Sequence, residues 1–420
     1  MLRTPKHTLR HTIARLKESK VLENYSYMTT LSMISAVISL IIYPYVIRVT
    51  GKDAYGAYAY ALTIAFYFQI IVDFGFDSPA AKAIVAAKDN KAERSRILSA
   101  IVLCKCGLYA ICCGIFAAMT WFIPFLREQF WLCVITFVQI FFQSLLPSWY
   151  FQGMKNMKRI TIINLVYRLL TLPFIFIFVH DTDDILIYAL IVAISLIAGT
   201  ITAFVSLYRE GIRLCIVPPR ELRPYMADAL PFFLSGLAGN IKSTLVKTVI
   251  KNSFGLAEVA IYDLAEKIIA IPRLFTQSIN QALFPEVVGR ATPSLVKRIL
   301  RYERGIGGGI ALIVAALAYP AVYVLGGVGM MEAVPIAMIL SVTIYSWLVT
   351  GAYLNFVFVP NNKYYYITRN QIVALVSCLV FIGIGLWIEH SMLCLAVAIS
   401  LSGLVEVVYC RIVSHRMKLL

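Results

Sequence analysis

PSWYFQGMKNMKRITIINLVYRLLTLPFIFIF, residues 147–178, decides how the whole chain is read. It leaves one long apolar run through Trp149 and Tyr150, turns at Gly153, and crosses Lys155, Lys158 and Arg159. It then enters a second apolar run that holds one cation, Arg168, near its middle. Trp and Tyr suit a membrane interface, because each ring is apolar at one end and polar at the other. Three cations in so tight a turn mark the membrane side on which positive charge is retained. Arg168 stands apart, since a charge at mid-bilayer is costly unless it faces protein or water. Its presence points to a pathway through a bundle.

Composition extends that reading to the rest of the chain. Of 420 residues, 60% are hydrophobic and only 14% charged, with a mean hydropathy of +0.79. Soluble domains lie nearer half apolar and about a quarter charged. A helix needs about 20 apolar residues to cross the hydrocarbon core. Twelve such spans are expected, the first at 28–50 and the last at 391–412. The runs are continuous rather than alternating, which excludes a β-barrel. The fold class is therefore an all-α integral membrane protein.

The net charge of +16 would suit nucleic acid, but its distribution excludes that partner. The N-terminal tail, every second connection and the C-terminal end are rich in Lys and Arg. The intervening connections hold only Arg48, Lys52, Arg127 and Lys251. This alternation places both termini in the cytoplasm and some cations beside anionic membrane lipid. Nine cysteines and five scattered histidines form no framework, so neither a metal nor a cofactor is expected. No phosphate-binding Walker loop occurs.

The proline-rich segment RLCIVPPRELRPY (213–225) divides the spans six and six. The expected organisation is a basic tail over 1–27 leading into an uncleaved first helix, then a six-helix bundle over 28–208. A cytoplasmic linker over 209–225, a second six-helix bundle over 226–412 and a tail over 413–420 complete it. The halves echo one another: GKDAYGAYAYA begins at Gly51 and GLAEVAIYDLA at Gly255. At one offset Gly51 matches Gly255, Tyr58 matches Tyr262 and Ala61 matches Ala265. Two halves of equal orientation imply a pseudo-two-fold axis along the membrane normal and a central cavity between the bundles.

Several intramembrane charges are candidates for function. Asp73 and Asp77 lie four apart, hence on one helical face. They are either interfacial caps and partners of Lys82, or they line a cavity with Lys105 within reach. In the eighth span Asp263, Glu266, Lys267 and Arg273 fall within an arc of about 120°. Asp263 and Lys267 have the spacing of a helical ion pair. Lys242 and Lys247 of the seventh span point in different directions. Lys247 is expected to snorkel to the outer interface, leaving Lys242 for the lumen. Asp181, Asp183 and Asp184 have the look of a metal-binding Asp-x-Asp motif, but between two spans with no soluble domain to support it.

At PYVIRVTGKDAYGAY (44–58), DFGF (73–76), PSWYFQGMKNMKRITIINLVYR (147–168) and YDLAEKI with a later LFPE (262–286), the chain resembles Wzx-type polysaccharide exporters. These are the O-antigen and teichoic-acid flippases of the multidrug/oligosaccharidyl-lipid/polysaccharide exporter superfamily. Asn164 and Arg168 after the Trp-x-x-Gln-Gly segment are the most recognisable pieces. The resemblance implies a non-enzymatic flippase of the bacterial inner membrane, acting by alternating access on an isoprenoid-diphosphate-linked oligosaccharide. A polysaccharide polymerase and glycosyltransferases would be its pathway partners. Lys105, Arg168, Lys242, Lys267 and Arg273 would then bind the diphosphate and acidic sugars. Asp73, Asp77, Asp263 and Glu266 would couple transport to H⁺ or Na⁺. A multidrug or cation antiporter of the same superfamily is the rival reading, and a membrane polysaccharide polymerase a more distant one.

Overall fold

The computed structural model describes residues 20–288, 293–361, 363–417 and 419. The first helix, α1 (Lys20–Asp73), carries Pro44 inside it without ending there, and turns at Gly51. Gly51 has φ +79°, a conformation that costs glycine little and a β-carbon-bearing residue much. The two arms of α1 are thus the first and second spans. A tight turn through Phe74 and Gly75 leads to α2 (Asp77–Ala86). α3 (Lys91–Phe122) follows, capped by the Asn90 side chain, which accepts from the Glu93 amide at 3.1 Å.

The short α4 (Pro124–Glu128), α5 (Phe130–Leu145), the short α6 (Ser148–Gly153), α7 (Met157–Phe178) and α8 (Ile185–Arg209) complete the first half. The second half comprises α9 (Pro219–Ser253), α10 (Leu256–Val288), α11 (Pro293–Gly326), α12 (Ala333–Ala352), α13 (Tyr364–Ile388) and α14 (Met392–Arg416). The proline-rich connection ends sooner than its composition implies, because α9 already starts at Pro219. Proline at a helix start costs nothing, since the amide it lacks has no partner there.

Among the described residues, nine helices are long and apolar enough to cross a membrane. The expected twelve are not reached on length and apolarity, for two reasons. The arms of α1 count as one helix with α2, and α9 and α10 carry Lys, Arg, Asp and Glu along their length. Large apolar side chains cover the outside, among them Phe174, Phe178, Trp121 and Trp387. Such a surface fits lipid rather than water.

The apolar interior explains how the two bundles sit. One cluster unites them, running from Tyr43, Val46 and Tyr58 through Val259, Ile261 and Ala265 to Ile336 and Leu340. It lies at the end marked by the turns at Gly51 and Gly255, both with positive φ. At the opposite end the interior divides. One cluster gathers Phe76, Ile84, Trp149 and Tyr150, and another gathers Leu300, Tyr353, Phe356 and Val407. The molecule is two helical bundles joined at one end.

Trp149 and Tyr150 differ from expectation. Both are buried, at 3% and 1% exposure, rather than set in a lipid interface. The Tyr150 hydroxyl accepts from Arg94 at 3.0 Å, which satisfies the polar end of the ring inside protein.

Candidate functional site

Asp73 and Asp77 do not share a helical face. Gly75, at φ +73°, ends α1 and lets α2 begin at Asp77, so a turn separates the two carboxylates. They nonetheless converge on Lys105 of α3, at 3.3 and 3.6 Å. Lys105 also donates to the Ser144 carbonyl at 2.7 Å. Its ammonium is buried, while Asp77 keeps two-thirds of its side chain exposed. The pairing is therefore asymmetric. Lys105→Met is expected to change stability by about 1 kcal/mol or less, because the freed acids keep access to solvent. Asp73→Asn with Asp77→Asn is expected to cost about 3–5 kcal/mol, because a buried ammonium loses its counter-charges. Melting temperatures in detergent separate the two cases.

A second group of charges sits in the joined end. Asp263 of α10 receives Lys267 and Lys247, each at 2.7 Å, and the Tyr55 hydroxyl at 2.9 Å. Lys267 also donates to the Tyr55 hydroxyl and lies 4.2 Å from the centre of the Tyr43 ring. Tyr43 donates to the Ala260 carbonyl at 3.3 Å. This lattice ties the first half of the chain to the second. Lys247 does not snorkel outward: it turns across to α10, where Glu266 at 2.9 Å joins Asp263 as its second counter-charge. Two carboxylates within reach outweigh the gain of stretching to water.

Among the described residues, the remaining cations line two cavities, one in each bundle. The first, of about 440 Å³, is walled by Gln139, Gln143, Asn164, Tyr167, Arg168 and Tyr188, with Tyr58 behind them. Arg168 is its single charged wall residue and forms no ion pair among the described residues. The second, of about 480 Å³, is walled by Lys242, Glu266, Arg273, Trp347, Gln371 and Glu406. There Lys242 meets Glu406 at 2.6 Å, and Asn370 donates to the same carboxylate at 3.4 Å. Arg273 donates to Thr343 at 2.5 Å and lies 5.8 Å from the centre of the Trp347 ring.

The five cations named from sequence are thus divided among four places. Lys105 and Lys267 are held by carboxylates outside both cavities, whereas Arg168, Lys242 and Arg273 face cavity space. Sequence reasoning missed Glu406 and the tyrosines Tyr43 and Tyr55. A lone acid in the last apolar span was the signal for Glu406. Asp184 has a structural use: its carboxylate accepts from the amides of His180 and Asp181 at 2.8 and 3.0 Å, closing a cap.

Comparison with known proteins matches this architecture. Over 76% of the chain and 78% of the relative, it is 26% identical to an Escherichia coli K12 protein provisionally named an O-antigen transporter. A Shigella dysenteriae protein with the same provisional name is 22% identical over 59% of the chain and 62% of its own length. An inward-facing multidrug resistance MATE family transporter of the MOP superfamily superposes with a TM-score of 0.67. That match has 14% identity and covers 91% of this chain and 95% of the other. An outward-facing MATE family transporter scores 0.64 at 13% identity, covering 94% of each chain. The family model described as polysaccharide biosynthesis protein matches residues 21–288, and the chain belongs to that family.

Proposed function

We propose that this protein is a flippase that carries an isoprenoid-diphosphate-linked oligosaccharide across the bacterial plasma membrane. The observation that carries the reading is Arg168, a guanidinium without a counter-ion among the described residues, in a cavity whose wall also carries three amide side chains and three tyrosines among aliphatic residues. A guanidinium binds phosphate oxygens in bidentate fashion, and amides and aromatic rings suit sugar hydroxyls and sugar faces. Arg273 beside Trp347 offers the same chemistry in the other bundle. Membership in a polysaccharide biosynthesis family and kinship with proteins named for O-antigen transport agree with it.

With the basic ends in the cytoplasm, both termini lie inside, the joined end is the outer one, and the end where the interior divides faces the cytoplasm. The segments 28–208 and 226–412 rock against each other as units. H⁺ or Na⁺ coupling falls to Glu266 and Asp77, because Asp263 is fixed by two lysines and a tyrosine, whereas Glu266 and Asp77 each hold a single lysine and Asp77 is open to solvent. A polymerase and glycosyltransferases of the same pathway supply and consume the substrate. The rival, a pump for cationic drugs, needs unpaired acids in its cavity. Glu266 and Glu406 are each paired with lysine.

The test is export of a labelled lipid-linked glycan in vesicles carrying Arg168→Ala with Arg273→Ala. Each lost hydrogen bond to charge is worth about 1.5–3 kcal/mol, so export is expected to fall by about ten- to a hundredfold or more. Membrane insertion should be unchanged. Wild-type export by the double variant would remove the anion site and this reading with it.

A further inference from the structure

A third cavity, of about 400 Å³, lies outside both proposed transport cavities, where the start of α11 meets the end of α14. Lys297, Arg301, Arg304, Arg411 and His415 line it, with Tyr353 at its base. No carboxylate lines it among the described residues. The acid nearest in sequence, Glu303, sits between Arg301 and Arg304 but is turned into the protein and is 1% exposed. Its two carboxylate oxygens have no hydrogen-bond partner among the described residues, so it neutralises none of these cations. Converging like charges repel and are destabilising unless an anion joins them.

The pocket is also shaped rather than merely charged. Arg304 is oriented by the Tyr353 hydroxyl at 2.8 Å. Tyr353 is buried and opens a π-helical stretch, Tyr353–Phe358, in which the end of α12 is rewound. Such insertions are frequent at functional sites. By contrast Arg298, one position from Lys297, lies 5.7 Å from the centre of the Tyr302 ring and does not line the pocket. An apolar shoulder formed by Ile412, 47% exposed, adjoins the cations. A group with a phosphate and a hydrocarbon portion matches both features.

We infer that this pocket binds the phosphate of an anionic phospholipid headgroup, at a site separate from the transport cavities. Basic pockets between membrane helices on the cytoplasmic side recognise such headgroups. Occupancy would tie α11 to α14 through a shared counter-ion.

The experiment uses the full chain, delipidated in neutral detergent and titrated with phosphatidylglycerol, phosphatidylcholine or inorganic pyrophosphate, with binding read by native mass spectrometry. Phosphatidylglycerol should bind in preference to phosphatidylcholine, and pyrophosphate should compete with it. Arg301→Gln with Arg411→Gln should weaken phosphatidylglycerol by about tenfold or more, equivalent to about 1.4 kcal/mol. Arg298→Gln removes the same charge outside the pocket and should leave binding unchanged. Both positions of the double variant are exposed, and either single substitution serves if the pair does not fold. Binding of pyrophosphate without phosphatidylglycerol would overturn the lipid assignment. Equal losses from Arg298→Gln would show a diffuse surface charge, and no loss from the double variant would show another site. Either result overturns the pocket.

Discussion

Asp263→Asn is expected to cause a large loss of folded protein through the joined end. The carboxylate is buried and holds two ammonium groups at 2.7 Å and a tyrosine hydroxyl at 2.9 Å. Without its charge, Lys247 keeps Glu266, but Lys267 keeps only the Tyr55 hydroxyl and two ring faces. Removing one partner from a buried ion pair costs about 3–5 kcal/mol. That is a large fraction of the net stability of a domain, about 5–15 kcal/mol. The measurement is the melting temperature of purified protein in detergent, together with the yield of monodisperse material. A companion variant separates charge from packing. Asp263→Leu, Lys267→Met and Tyr55→Phe together remove the shared carboxylate and the groups that depend on it while Lys247 keeps Glu266, and such replacements are often neutral or stabilising by about 1–4 kcal/mol. The triple variant should therefore melt at or above wild type, whereas Asp263→Asn melts well below it. If Asp263→Asn melts like wild type, the lattice does not hold the bundles together.

Gly56→Val is expected to force the joined end apart. A β-carbon at Gly56 would lie 1.9 Å from the Leu256 carbonyl oxygen and 2.6 Å from its carbon. Both are backbone atoms at the start of α10, so no side-chain rotation relieves the contact. The first and second halves can then coexist only with this seam opened. Moving a two-state equilibrium from 1:99 to 99:1 takes about 5.5 kcal/mol, and a backbone clash this close supplies strain of that order. The probe is Ala260→Cys in a cysteine-free background, labelled with a membrane-impermeant maleimide from outside the cell. Ala260 is fully buried and its carbonyl accepts from Tyr43 across the seam. The thiol should be labelled slowly in the parent, which opens this end only transiently, and fast in the Gly56→Val variant, with transport lost. Equally slow labelling with intact transport would show that the seam does not depend on this contact.

The amino-acid sequence by itself determined the class of molecule. Apolar runs of spanning length, basic connections at alternate positions and a cation inside an apolar run are one-dimensional features, and bilayer physics reads them directly. The Asp263–Lys267 pair was legible for the same reason, because helical periodicity fixes which residues share a face. The matching turns at Gly51 and Gly255 were visible as a repeat, and both adopt positive φ.

Only the tertiary structure decided what lay between helices. Periodicity gives the angle of Lys247 around its axis, but its direction was settled by Glu266 and Asp263 on a neighbouring helix. Asp73 and Asp77 were expected on one helical face, either as caps beside Lys82 or lining a cavity with Lys105 in reach. Gly75 breaks that helix, and both carboxylates reach Lys105 because α3 packs beside the turn. Trp149 and Tyr150 have the chemistry of a lipid interface, yet Arg94, more than fifty positions earlier, draws the hydroxyl inward. The division of the cations between two cavities follows from how the bundles fold as separate halves. Each of these outcomes depends on partners distant in sequence, where Coulomb attraction and burial are set by the packed helices rather than by local spacing.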